Sequence, residues 1–185
     1  GIIILVIFIV GTINAFNLLD GLDGLVSGIA LLVFTLLFFI SLNLLDQFSL
    51  VVLSSIIGCV IGFLKYNSYP ARIFLGDSGS FFLGYLVVSA ALIVSIDKTS
   101  GVLNLTFPVI LLAVPIADTI KVLFERILSG KHPFAADRTH IHHIVYSKNI
   151  THRTTVFIIT IYSLLFSADA IIYQFYSATA GIIIL

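Results

Sequence analysis

The sequence predicts an all-α fold, a polytopic bundle of transmembrane helices with its active-site loops on the cytoplasmic side. Three observations carry this. Hydrophobic residues fill 59% of the 185 positions and charged residues only 10%, whereas a soluble domain is usually near a quarter charged. Mean hydropathy is +1.19. The apolar residues also come in long runs, not in the alternation of a membrane β-strand.

Six runs approach the ~20 residues that a helix needs to cross a bilayer. They are roughly 2–19, 25–45, 48–64, 81–96, 102–124 and 154–176, and a seventh begins near Ala178. Pro108 and Pro115 should break or kink the fifth. No repeat or linker divides the chain, so one domain over 1–185 is expected. The chain starts at Gly1 and stops at Leu185 inside apolar runs and has no methionine. A piece of a longer protein, cut at both ends, is therefore expected. The first run has no basic flank and is not a signal peptide. A single cysteine, Cys59, excludes an intrachain disulfide, and zero net charge gives no reason to expect a nucleic-acid partner.

Charge orients the spans. Lys65, Arg72, Lys121, Arg126, Lys131, Arg138, Lys148 and Arg153 fall on one face, and Lys98 alone on the other. The positive-inside rule makes the first face cytoplasmic. Three unusual stretches lie on that face: "NLLDGLDG", "YNSYPARIFLGDSGS" and "GKHPFAADRTHIHH".

Asp20 and Asp23 sit three residues apart, each followed by a glycine that permits positive φ and close backbone approach. Asp23 could cap the next helix, but a cap explains one acid and neither Asn14 nor Asn17. Asp77 lies at the mouth of the fourth span among Gly76, Ser78, Gly79 and Ser80. It could be an N-cap. It could also serve a hard cation beside a helix N-terminus that attracts anions. His132, His140, His142 and His143 have neither the cysteines nor the spacing of a closed zinc site. With Lys131 and Arg138 they suit an anion such as phosphate. Asp118, near the end of the fifth span, is either functional or the partner of Lys121. Asp169 reads as an interfacial residue.

Taken together, "NAFNLLDGLDGL", "FLGDSGSFFLG" and "PFAADRTHIHH", in that order, resemble the polyprenyl-phosphate N-acetylhexosamine-1-phosphate transferases, glycosyltransferase family 4. The resemblance runs over essentially the whole chain. It implies the C-terminal part of a protein of ten or eleven spans, from about the fifth. The family's adjacent aspartate pair in an earlier loop has no counterpart here, so this stretch alone is expected to be inactive. "HPFAADRTHIHH" is closer to the bacterial UDP-N-acetylhexosamine branch than to the related phospho-N-acetylmuramoyl-pentapeptide transferases, whose loop is of "HHH" type.

The resemblance implies Mg²⁺-dependent transfer of a sugar-1-phosphate, GlcNAc-1-phosphate above all, from a UDP-N-acetylhexosamine to polyprenyl (undecaprenyl) phosphate. UMP is released. The product is a lipid-linked diphosphate sugar for wall, lipopolysaccharide or teichoic acid synthesis at the bacterial inner membrane. It assigns Asp20, Asp23, Asp77 and His140 to catalysis, with Asp77 on the metal (Mn²⁺ being an admissible substitute). Asn17, Asn67, Phe74, Lys131, Arg138, His142 and His143 are assigned to substrate, Phe74 against the uracil face. A homodimer is compatible with the family. Two rivals fit less well. A CDP-alcohol phosphotransferase strings its acids along one segment, which is not found here. A transporter or proton-coupled channel needs polar groups near mid-membrane, and here they cluster at one face.

Overall fold

The computed structural model describes residues 1–97, 100–130, 140, 141, 145 and 150–183, with side chains through Gln174 in the last helix. Among these residues the architecture is all-helical. Its helices are α1 (Ile2–Leu19), α2 (Leu25–Asn43), α3 (Gln47–Asn67), α4 (Gly76–Val94), α5 (Thr106–Leu111), α6 (Ala113–Leu128) and α7 (His152–Ile183). The isolated antiparallel bridge Ile96–Leu103 closes the turn after α4.

Among the described residues five helices are long and apolar enough to cross a membrane: α1, α2, α3, α4 and, within α7, His152–Gln174. The expectation of six to seven spans is corrected at two places. The run at 102–124 is two helices, of 6 and 16 residues, broken at Leu112, which has φ −104° and ψ 21°. Pro115 is the cause. It has no N–H to give the carbonyl of Leu111, and its ring crowds that carbonyl, so the ladder cannot continue through Leu112. The chain instead closes one helix with Leu112 N–H on Pro108 O and opens the next with Ile116 N–H on Leu112 O. The second correction is at Ala178. The backbone of α7 runs through that position to Ile183 without interruption, since Ala178 and Ala180 favour helix and no proline intervenes.

α2 is the central helix, with 56% of its span buried. Its buried residues Leu25, Val26, Ile29, Ala30, Val33, Phe34, Leu37 and Ile40 recur at helical spacing. They meet α3, α4 and α7, while α1 packs along α4, α6 along α1, and α5 on α7. The α1–α4 approach is set by Gly84. A Cβ there would lie 3.0 Å from Phe16 Cβ and 3.2 Å from Ile13 Cα. Two helices that close bring the end of α1 and the start of α4 into hydrogen-bond range. At the opposite end Asp46 caps α3, its Oδ1 accepting from Ser49 N–H at 3.3 Å.

Candidate active site

The site is built where α1 and α3 end and α2, α4 and α7 begin. α1 stops at a tight turn. Asp20 has φ −75° and ψ 50°, and Gly21 N–H reaches Leu19 O at 2.8 Å, the geometry of an inverse γ-turn. Gly24, at φ +77°, starts α2, and a Cβ on it would sit 3.4 Å from Ser68 Cα. Only a glycine meets both demands without strain.

Asn17, one turn before Asp20, bridges α1 to α4. Its Nδ2 donates to Asp77 Oδ1 at 3.2 Å and to Ser80 Oγ at 2.9 Å. The Ser80 hydroxyl in turn is directed at the carbonyls of Gly76 and Asp77. Asp77 is exposed in the first turn of α4, whose N-cap position is Leu75, and no side chain caps that helix. The capping alternative for Asp77 is therefore set aside. The same holds for Asp23. The N-cap of α2 is Gly24, without a side-chain cap bond, and Asp23 Oδ2 instead accepts Ala71 N–H at 3.0 Å.

Asn17, Asp20, Asp23, Asn67, Phe74 and Asp77 line one cavity of about 330 Å³. Asn67 is 3% exposed. Its Oδ1 accepts from Ser27 Oγ at 2.8 Å and its Nδ2 donates to Ile73 O at 3.0 Å, so its amide shapes the wall by holding the loop before α4. Phe74 is 71% exposed and presents an aromatic surface at the rim. Asp20 is half-buried. Burial first, then the carboxylates of Asp77 and Asp23, push its pKa from the ordinary 3.8 to about 6. Three acids at one mouth, one of them pushed toward protonation by burial and then by its two neighbours, form a site that favours a cation.

His140 is corrected as a member of this cavity. It is 4% exposed, and its Nδ1 lies 2.9 Å from Asp118 Oδ2, while Ile141 N–H donates to Asp118 Oδ1 at 2.7 Å. It is not among the residues lining the cavity with Asp20 and Asp77. Asp118, itself buried, thus anchors the segment at 140–141, and Lys121 pairs with Glu125 at 3.2 Å. The physical reason is burial: an imidazole and a carboxylate removed from water need hydrogen-bond partners, and each supplies one for the other. Lys131, Arg138, His142 and His143 lie outside the described residues.

Residues 1–95 match the family described as glycosyl transferase family 4. The chain belongs to that family. It is 39% identical over 171 residues to a probable undecaprenyl-phosphate N-acetylglucosaminyl 1-phosphate transferase of Bacillus subtilis (strain 168), covering 90% of this chain and 46% of the relative. An undecaprenyl-phosphate alpha-N-acetylglucosaminyl 1-phosphate transferase of Thermotoga maritima is 36% identical over 92% of this chain and 52% of its own length. A phospho-N-acetylmuramoyl-pentapeptide-transferase of Caldanaerobacter subterraneus subsp. tengcongensis is 36% identical over 74% of this chain and 42% of its own length. The chain spans about half the length of the curated relatives it matches. The family match falls on the N-terminal half of this chain, and it does not carry the expectation that the chain is the family's C-terminal part.

In this glycosyl transferase family 4 chain the acidic cavity suits Mg²⁺ in a particular way. Among the described residues no three His, Cys, Asp or Glu side chains gather into a closed metal site. Mg²⁺ does not need one, since it is usually held by one or two carboxylates, waters and a substrate phosphate. Asp77, exposed and on the cavity wall, fits that part, and Asp20 adds negative charge beside it.

Sequence reasoning missed three residues. His152, at the start of α7, accepts Asp23 N–H on Nε2 at 3.1 Å. Tyr69 stacks on its ring with centroids 4.3 Å apart and planes at 23°, and the Arg153 guanidinium lies 5.9 Å from the Tyr69 centroid. The available signal was a histidine and an arginine where a basic-face loop enters a span. Nothing in that pattern points to a backbone amide.

Proposed function

We propose that the protein transfers N-acetylglucosamine-1-phosphate from UDP-N-acetylglucosamine to a polyprenyl phosphate, undecaprenyl phosphate in a bacterial membrane. A phosphate oxygen of the lipid attacks the β-phosphorus of the nucleotide sugar. The bond from that phosphorus to the UMP oxygen breaks, UMP leaves with the electron pair, and the lipid diphosphate sugar remains. Both reactants are anions, so the chemistry needs alignment and charge neutralisation more than covalent help.

The observation that carries the reading is the acidic cavity at one end of an apolar bundle, shared by Asn17, Asp20, Asp23, Phe74 and Asp77. A lipid acceptor and a soluble donor meet only at such a face. Bound Mg²⁺ would neutralise the donor's pyrophosphate, and Asp77 would hold it. Asn17 fixes Asp77 by donating to its carboxylate. Phe74 offers its exposed face to the uracil ring. Asp20 and Asp23 complete the negative wall that keeps the cation at the pyrophosphate. Arg138, Lys131, His142 and His143, by the family resemblance, would supply positive charge and donors to the diphosphate–sugar end, while His140 stays with Asp118. The excess of basic residues supports reading this face as cytoplasmic by the positive-inside rule, and with it the inner membrane as the site and the cytoplasm as the source of the nucleotide sugar.

The test is UMP release by the full-length protein in membranes. It should require UDP-N-acetylglucosamine, polyprenyl phosphate and Mg²⁺ together and stop with a chelator. UMP release without the lipid phosphate, or undiminished transfer after chelation, would sink the respective part of the reading.

A further inference from the structure

We infer that His152 is a positioning residue for this reaction: its imidazole, accepting on Nε2, holds Asp23 and the loop between α3 and α4 in register at the wall of the acidic cavity. The inference deepens the proposed transfer reaction and rests on it.

The hydrogen bond defines the state of the ring. Asp23 N–H donates to His152 Nε2 at 3.1 Å. A ring nitrogen that accepts carries no proton, so the imidazole is neutral with its proton on Nδ1. The ring also supports the neighbouring loop through its stacking on Tyr69. Two residues after Tyr69, Ala71 N–H donates to Asp23 Oδ2 at 3.0 Å. The contacts close a circuit from Asp23 to His152, to Tyr69, to Ala71 and back to Asp23. It joins segments 129 and 48 residues apart in sequence.

Asp23 is thereby held at both its amide and its carboxylate, and it is also a partition. On one side is the acidic cavity with Asp20 and Asp77. On the other is a second cavity of about 330 Å³, lined by Asp23, Gly24, Tyr69, His152, Arg153 and Val156 among others. Leu22 and Leu25 on either side pack into the core, but the Asp23 carboxylate borders open space on both sides, so its position depends on the groups that bond it. Gly24, whose left-handed backbone presses the same turn against Ser68, leaves the turn little other freedom. Loss of the His152 acceptor should let the Asp23 carboxylate and the rim carrying Phe74 shift without unfolding the bundle, because Ile159, Ser163 and Ser167 further along α7 stay buried.

The experiment uses the full-length protein in membranes, with UDP-N-acetylglucosamine and polyprenyl phosphate. His152→Ala is expected to lower kcat by about tenfold to a hundredfold, the effect of a small misplacement near the chemistry, with KM for the nucleotide sugar little changed. His152→Gln, whose amide oxygen can accept the same N–H, should recover most of the rate. A wild-type rate for His152→Ala, or a Gln variant no better than Ala, overturns the inference. A second readout is independent of variant folding and of turnover: the ¹⁵N spectrum of the His152 ring in the unaltered protein. It should show Nδ1 protonated and Nε2 bare, and a proton on Nε2 overturns the clamp. If the unaltered protein transfers no sugar phosphate at all, the reaction reading fails on its own, and the nitrogen spectrum still decides the clamp.

Discussion

Asn17 Nδ2 lies 3.2 Å from Asp77 Oδ1, joining the last turn of α1 to the first turn of α4 across 60 residues of chain. Asp77 also lines the cavity it shares with Asp20. An amide that fixes a carboxylate without neutralising it keeps the charge available for a cation.

Asp77→Asn should therefore abolish Mg²⁺-dependent transfer in the full-length protein. The amide keeps the shape and can still bond Asn17. Asp77 is exposed and caps nothing, so the stability change should stay within about 0.5 kcal/mol. Turnover and melting temperature, measured on the same sample, separate the two effects. An active Asn variant would end the metal assignment.

Asp20 should titrate near pH 6 in chelator-treated protein, against an ordinary 3.8. The folded protein then holds a proton that the unfolded chain has released. Stability contributed by this group falls as pH rises from about 4 to about 6 and is level above that. The difference in melting temperature between the wild type and Asp20→Asn should follow the same window. Asp77→Asn should lower the Asp20 midpoint only in part, because burial is the larger cause and remains. A carboxylate ¹³C titration reads all of this, and a midpoint near 4 in the wild type would contradict the acidic-cavity geometry.

Gly84→Ala should be costly where Gly58→Ala is not. A Cβ at Gly84 meets Phe16 Cβ at 3.0 Å and Ile13 Cα at 3.2 Å, while one at Gly58 meets nothing within 4 Å. Overpacking of this kind costs about 1–3 kcal/mol. It also pushes α1 from α4, so transfer activity should drop as the Asn17–Asp77 bond lengthens. The Gly58 variant should match or slightly exceed wild-type stability through helix propensity. Equal melting temperatures for the two variants would refute the close approach.

Much of the fold was legible because lipid imposes long apolar runs, and α1 matches its predicted bounds of 2–19. The break at Leu112 was signalled by Pro115, yet composition alone still counted one span there. Six of the proposed site residues, Asn17, Asp20, Asp23, Asn67, Phe74 and Asp77, share one cavity. Polar groups beside a span stand out against their surroundings, which is why they could be read. The Asp118–His140 pair was hidden because Lys121 was the nearer partner in sequence. The His152 clamp was hidden because its partner is a backbone amide, which every residue but proline carries.

Asp118→Ala should loosen the segment around His140 and lower stability together. Asp118 is 5% and His140 4% exposed, and Asp118 accepts both the His140 bond at 2.9 Å and Ile141 N–H at 2.7 Å. Removing the carboxylate takes from the buried imidazole its bond to Asp118 and from Ile141 N–H its acceptor, and a buried hydrogen bond lost in this way costs about 1–3 kcal/mol. Because the two side chains serve each other, His140→Ala should add little to the loss in an Asp118→Ala background. A double-mutant cycle on melting temperature, read beside protease sensitivity near residue 140, checks this. Strictly additive losses would mean that the two residues act independently and that Asp118 does not hold the histidine segment in place.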